Sequence, residues 1–92
     1  MKLTLAPLLQ DHAVLQRDRP LPVWGWTSPL TRVCVRLGSH VAVSLSNAAG
    51  DFSVRLPALP AGGPHTLDVA VEQTGERLEV HDLLIGEVWI AS

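Results

Sequence analysis

Apolar and polar residues alternate along most of this 92-residue chain. The alternation is clearest in five runs, at residues 33–37, 41–45, 52–56, 67–71 and 78–81. A period of two is typical of strands that bury one face and expose the other, as in antiparallel sheets. We therefore expect the apolar residues of each run to face a core. Since no window of eleven or more residues has the helical period of 3.6, the sequence predicts an all-β fold.

Turn-forming residues separate these runs at short intervals. Residues 37–40 and 47–51 are hairpin candidates, and residues 74–76 join the last two runs. Residues 56–64 form a longer connection, rich in proline and glycine, that is predicted to cross from one sheet to the other. About six to eight short strands with such turns predict an antiparallel, immunoglobulin-like β-sandwich, formed by one domain over residues 1–92.

The two ends of the chain and one pair of prolines add further expectations. The start, residues 1–7, resembles a first strand rather than a signal peptide, because Pro7 interrupts its short apolar stretch. Pro20 and Pro22 predict either that the strand at 21–26 lies at a sheet edge or that these prolines lie near a strand start. The apolar end at residues 86–92 has no turn or cap, which predicts that the domain is part of a larger protein.

Composition narrows the classes of function. The chain is 47% hydrophobic and 17% charged, which excludes a disordered chain and suggests that some apolar surface faces a neighbouring domain. The net charge is −2, and there is no basic stripe of the kind that nucleic-acid or membrane-surface binding requires. A single cysteine, Cys34, excludes an internal disulfide. Whether the parent protein is cytoplasmic or exported stays open.

Three tryptophans are the candidate contact residues. Trp24 and Trp26 lie two apart, so they share one face of their strand, while Gly25 leaves the opposite face bare. The pair either anchors the core or a domain interface, or forms an aromatic platform that stacks on sugar rings. Trp89 is predicted to pack the last apolar run against whatever follows it.

Residues that could form a reaction centre do not fall into a catalytic pattern. The four histidines lack metal-ligand spacing, and no serine lies in a Gly-x-Ser-x-Gly motif. Asp11–His12 and His81–Asp82 are adjacent pairs whose members point to opposite faces, so neither histidine is an oriented base. Turn and surface roles fit the histidines better, with His12 helping to cap the first turn because an Asp there can bond backbone amides. Cys34 is predicted to face outward between two arginines. We expect no catalytic residue, metal or cofactor in this chain.

Five segments resemble bacterial sialate O-acetylesterase-type proteins, and they occur in the same order as in that family. The segments are Asp11-His12-Ala13-Val14-Leu15-Gln16-Arg17, Pro20-Leu21-Pro22-Val23-Trp24-Gly25-Trp26, Asn47-Ala48-Ala49-Gly50-Asp51-Phe52-Ser53-Val54, Leu56-Pro57-Ala58-Leu59-Pro60-Ala61-Gly62-Gly63-Pro64-His65-Thr66-Leu67 and Asp82-Leu83-Leu84-Ile85-Gly86-Glu87-Val88-Trp89-Ile90-Ala91-Ser92. Departures from the family pattern are modest: Ala13 replaces Met, Phe52 replaces Trp, Glu87 replaces Asp and Ala91 replaces Cys.

The resemblance implies a non-catalytic, N-terminal scaffold domain of a carbohydrate esterase. In that family a Gly-Gln-Ser motif comes next and supplies the nucleophile of an SGNH-type domain, so Ser92 matches the serine before the motif. The implied partners are the catalytic domain of the same chain and acetylated carbohydrate. The alternative function is a carbohydrate-binding sandwich that uses Trp24 and Trp26.

Overall fold

The computed structural model describes residues 3–7 and 9–86, and these ranges form eight strands and no helix. Accordingly, the described residues contain no helix that could span a membrane. The strands are β1 (Thr4–Leu5), β2 (Val14–Gln16), β3 (Leu21–Trp26), β4 (Arg32–Leu37), β5 (His40–Leu45), β6 (Asp51–Leu56), β7 (Gly62–Val71) and β8 (Arg77–Gly86).

The strands form two sheets that pack as a β-sandwich, as predicted. One sheet has three strands in the order β1-β3-β6, and the other has five in the order β2-β8-β7-β4-β5. The expectation of purely antiparallel pairing is wrong at one place, because β2 runs parallel to β8. Backbone bonds fix β2 there: His12 N donates to the His81 carbonyl and Leu84 N donates to the Ala13 carbonyl, each at 3.0 Å. Parallel and antiparallel strands have the same side-chain period of two, so the sequence could not predict the direction of β2.

Apolar residues on the inner faces of both sheets form one core. The alternation predicted the buried face correctly for β4, β6 and β7, whose apolar residues are almost completely buried. These residues are Val33, Val35, Leu37, Phe52, Val54, Leu56, Leu67, Val69 and Val71. Full burial of such a side chain stabilises the folded state by roughly 1.5–3 kcal/mol, so this cluster is the main source of stability for a domain of this size.

Strand β5 turns its apolar residues outward, which corrects the expectation for that run. The two-residue turn Gly38-Ser39 pairs Leu37 with His40, and this register puts Ala42 opposite Val35. Residues that lie opposite each other share a face of the sheet. The turn therefore sends the even-numbered residues of β5 toward the core and leaves the odd-numbered, apolar ones exposed.

Two connections differ from their predicted form. Residues 47–50 do not close a hairpin, since they carry the chain from β5 in the five-stranded sheet to β6 in the three-stranded one. The predicted crossing between β6 and β7 exists, but it is shorter than expected. Strand β7 already begins at Gly62, and its pairing with β8 is irregular between Gly62 and Leu67. Gly63 takes a positive φ of 124° and precedes a cis Pro64.

Strand β3 lies in the centre of its sheet. Of the two predicted alternatives the edge position is therefore wrong, and the position near a strand start is confirmed, because Pro22 is the second residue of β3. Pro22 is tolerated there because β1 is short. Ala6 N donates to the Trp24 carbonyl, so the even-numbered residues of β3 turn their backbone groups toward β1. Since β1 pairs only with Gly25 and Trp26, the missing N–H of Pro22 falls beyond the end of that ladder.

Candidate functional site

Trp24 and Trp26 lie side by side on the outer face of the three-stranded sheet, as their spacing predicted. The inner face of β3 is formed by Leu21, Val23 and Gly25, which are all buried. Trp24 is half-buried and packs partly against the core, whereas Trp26 is 39% exposed. The two indoles therefore form a surface feature and do not fill the interior.

Gly25 explains how the sheet stays closely packed beneath the tryptophans. A Cβ at this position would collide with the Thr4 carbonyl of β1 and would lie 3.1 Å from the Phe52 ring. The sequence suggested that the face opposite the tryptophans is bare, and this expectation is wrong. It is the place where the backbone of β1 approaches β3, and only glycine leaves room for that approach.

Polar side chains of β6 lie directly across from the two indoles. The antiparallel register pairs Trp26 with Asp51 and Trp24 with Ser53. Together with Asn47 these residues line an open depression of about 430 Å³. We call these five residues the tryptophan face. Sequence spacing alone could not place Asp51 and Asn47 beside the tryptophans, because their proximity depends on the pairing of β3 with β6.

The turn that carries Asn47 holds its side chain in one orientation. Asn47 Oδ1 accepts hydrogen bonds from the backbone N–H groups of Ala49 and Asp51, both at 2.9 Å. Its amide nitrogen Nδ2 then lies 3.5 Å from Asp51 Oδ2, to which it donates. Such an Asx turn restricts the asparagine before any ligand arrives. The polar edge of the tryptophan face is thus preorganised.

The outer face of the five-stranded sheet carries a second polar cluster. Arg77 donates to both carboxylate oxygens of Asp68, at 2.8 Å each. The hydrogen bond from Arg77, assisted by its charge, holds the pKa of Asp68 below its ordinary value. Cys34 is half-buried in the same depression, beside Arg36 and Ala70. None of the described residues that line this depression is a histidine, and the pattern is that of a surface ion pair beside a thiol.

Three exposed apolar side chains follow one another along the outer face of β5, and we call them the β5 strip. They are Val41, Val43 and Leu45, with exposed fractions of 53%, 56% and 65%. Strand β5 is also the last strand of its sheet. Contiguous apolar groups on an edge strand are typical of a surface that another polypeptide covers.

The two Asp-His pairs of the sequence meet across strands rather than acting locally. Asp11 Oδ1 accepts a hydrogen bond from His81 N at 2.8 Å, and His12 Nδ1 lies 3.4 Å from Asp82 Oδ2. Asp11 therefore bonds a backbone amide, as expected of an Asp at this turn, but that amide belongs to β8. His12 and Asp82 are both well exposed. Their arrangement fastens the segment before β2 to β8.

Within residues 3–7 and 9–86, no group of three or more metal-ligating side chains comes together. Trp89, the third predicted contact residue, lies outside the described residues. The described site therefore consists of the tryptophan face, whose chemistry is stacking and hydrogen bonding.

Fold and site together define a two-sheet β-sandwich domain with an exposed aromatic surface. This chain is similar, at 48% sequence identity and a TM-score of 0.90, to the crystal structure of a carbohydrate acetylesterase from Xanthomonas citri. The match covers 95% of this chain but only 20% of that one. The predicted resemblance to a carbohydrate acetylesterase is thus confirmed, and the chain corresponds to about a fifth of the relative. No family model and no curated protein matches the chain.

Proposed function

We propose that this chain is the non-catalytic, N-terminal scaffold domain of a sialate-type carbohydrate O-acetylesterase, which packs beside a serine esterase domain of the same protein. The observation that carries the proposal is the unequal coverage of the match. Nearly all of this chain aligns at 48% identity, yet it accounts for 20% of the acetylesterase. Most of that enzyme, including room for a complete hydrolase domain, has no counterpart in this chain.

The chemistry would belong to the neighbouring domain. In an SGNH-type esterase, a serine activated by a histidine attacks the acetyl carbonyl, the sugar hydroxyl leaves, and water then releases acetate from the acyl-enzyme. Following the resemblance, the serine of the Gly-Gln-Ser motif would be the nucleophile, and Ser92 would precede that motif. The residues of this chain would hold the domain and contribute no reacting group.

The position of β8 supports a holding role. Strand β8 is flanked on both sides, by β7 along most of its length and by β2 at its far end. Gln16 pairs with Gly86, and Arg17 N donates to the Gly86 carbonyl at 2.9 Å. The backbone at Gly86 is therefore held along the β2 edge, and the residue before it, Ile85, also pairs with Gly62 of β7. Because the chain continues from Gly86 toward Ser92, the sandwich would orient the segment that leads into the esterase domain.

The β5 strip supports packing against that domain. Its three side chains offer apolar contact area without a hydrogen-bonding group, and apolar surface removed from water contributes roughly 25 cal/mol per Å². An edge strand without charged side chains is otherwise exposed to unwanted pairing with other chains. Coverage by a neighbouring domain would remove the three apolar side chains from water and would block such pairing.

The reading frame that encodes this chain provides the first test. We expect the codons that follow Ser92 to specify Gly-Gln-Ser and then a domain several times the length of this one. Sequencing the genomic region checks this directly. A stop codon at that point would indicate a freestanding sandwich, and a continuation without the motif would argue against a serine esterase partner.

A further inference from the structure

We propose that the tryptophan face is a binding site for a neutral glycan, with Trp26 stacking on a pyranose ring and Asp51 accepting a hydrogen bond from a ring hydroxyl. The site is formed entirely by this chain. Its activity is binding, and it does not depend on hydrolysis by a neighbouring domain. The binding proposal can therefore be tested independently of the scaffold role.

The register of β3 and β6 produces two parallel rows of side chains. One row is Trp26 and Trp24, and the row opposite is Asp51 and Ser53. With a rise of about 3.4 Å per residue, side chains two apart along a strand are separated by about 7 Å. Each indole therefore has its own hydrogen-bonding neighbour across the ladder. An extended sugar chain could place successive rings along the first row and its hydroxyls along the second.

The side chains of the tryptophan face have hydrogen-bonding groups that a ligand could use. Within the described part of the chain, neither indole N–H has a protein acceptor. Asp51 is exposed, and its described side-chain contact is the long one of 3.5 Å to Asn47. Because the two backbone bonds fix Asn47 Oδ1, the Asn47 amide stays aimed at Asp51. A ligand would meet donors and acceptors that are already oriented, which reduces the entropic cost of binding.

The chemistry of the tryptophan face differs from that of the β5 strip. The β5 strip has three apolar side chains and no hydrogen-bonding group, as expected of a surface covered by protein. The tryptophan face instead has a row of aromatic side chains beside a row of polar ones, within an open depression. Sugars present apolar C–H faces rimmed by hydroxyl groups, which match an aromatic surface with polar neighbours. The cores of protein interfaces are, by contrast, depleted of charged residues such as Asp51.

The charge of Asp51 selects among glycans. A carboxylate beside the stacking position accepts hydrogen bonds from hydroxyls but repels a carboxylate on the ligand. Arg55, which occupies the same face of β6, lies four residues from Asp51 and therefore about 13 Å away along the strand. That separation is too large for Arg55 to neutralise a ligand held over Trp26. A neutral sugar is consequently the favoured class over a sialylated one.

The test is a titration of the 15N-labelled chain followed by NMR. The three tryptophans each give an indole N–H resonance, which Trp→Phe variants assign. We expect saturable shifts of the Trp24 and Trp26 resonances with xylohexaose or cellohexaose, and weaker binding of sialyllactose. The variant Trp26→Ala should weaken binding by about tenfold or more, which corresponds to about 1.4 kcal/mol.

Two further variants separate loss of binding from loss of fold. Asp51→Asn keeps the shape of the side chain and leaves the backbone bond to Asn47 in place, and it should weaken neutral sugars while improving sialyllactose relative to them. Val41→Ala, on the β5 strip, should bind like the parent chain. Absence of saturable shifts up to about 10 mM of each sugar, unchanged affinity in the folded Trp26→Ala variant, or tighter binding of sialyllactose by the parent chain would overturn the proposal.

Discussion

Replacing Leu83 with alanine is expected to lower the free energy of unfolding by about 2–5 kcal/mol, the usual cost of truncating a buried leucine. Leu83 is 0% exposed and lies in β8, between the two sheets. Its neighbour Leu84 is 45% exposed and provides a matched control on the same strand. Urea denaturation followed by circular dichroism gives the free energy of unfolding of both variants. The value for Leu84→Ala should stay within about 1 kcal/mol of that of the unsubstituted chain.

The size of this effect matters because the domain is small. A stability of roughly 0.05–0.15 kcal/mol per residue gives about 5–14 kcal/mol for a chain of this length. Loss of Leu83 would remove a large fraction of that total. Equal effects of the two substitutions would show that β8 does not turn Leu83 into the core, and would contradict the burial of Leu83.

Replacing Gly25 with alanine is the second large expected effect, a destabilisation of about 1–3 kcal/mol or more from overpacking. The added Cβ would meet the Thr4 carbonyl and the Phe52 ring, so β1 would have to move away from β3. Backbone atoms cannot give way as a flexible side chain can, so much of the pairing of β1 should be lost. Thermal or urea unfolding measures the change, and amide exchange at Ala6, whose N–H donates to the Trp24 carbonyl, reports on the contact of β1 with β3.

Gly62→Ala is the matched control for this prediction. Gly62 also lies in a strand, but a Cβ there would have no heavy atom within 4 Å. The substitution should be neutral or stabilise by a few tenths of a kcal/mol, because alanine restricts the unfolded chain. A Gly25→Ala variant as stable as the Gly62→Ala variant would refute the close approach of β1 to β3.

The strands were predictable from the sequence because alternation and turn residues are local signals. The outward face of β5 was not, since its apolar pattern alone indicates a buried face. There the two-residue turn after Leu37 and the pairing with β4 override the pattern, which is a tertiary effect. The two prolines of β3 left two alternatives open, an edge strand or a strand start. The second holds in a central strand because β1 is too short to pair with the residues around Pro22.

The candidate site was predictable only in part. A separation of two residues was enough to put Trp24 and Trp26 on one face. The neighbours Asp51 and Ser53 are more than twenty residues away in sequence, so only the register of β3 and β6 brings them close. The cross-strand contact of His12 with Asp82 was also beyond sequence reasoning, because it depends on the parallel pairing of β2 with β8. Long-range pairing is the information that a period of two does not contain.

The scaffold role is tested most directly by one hydrolysis measurement on two chains. The substrate is p-nitrophenyl acetate, and the chains are this 92-residue domain and the same domain extended through the downstream reading frame. We predict that the domain alone does not exceed its heat-denatured control, while the extended chain shows saturable turnover that is lost when the serine of Gly-Gln-Ser becomes alanine. Saturable turnover by the 92-residue chain, or none by the folded extended chain, would contradict the account.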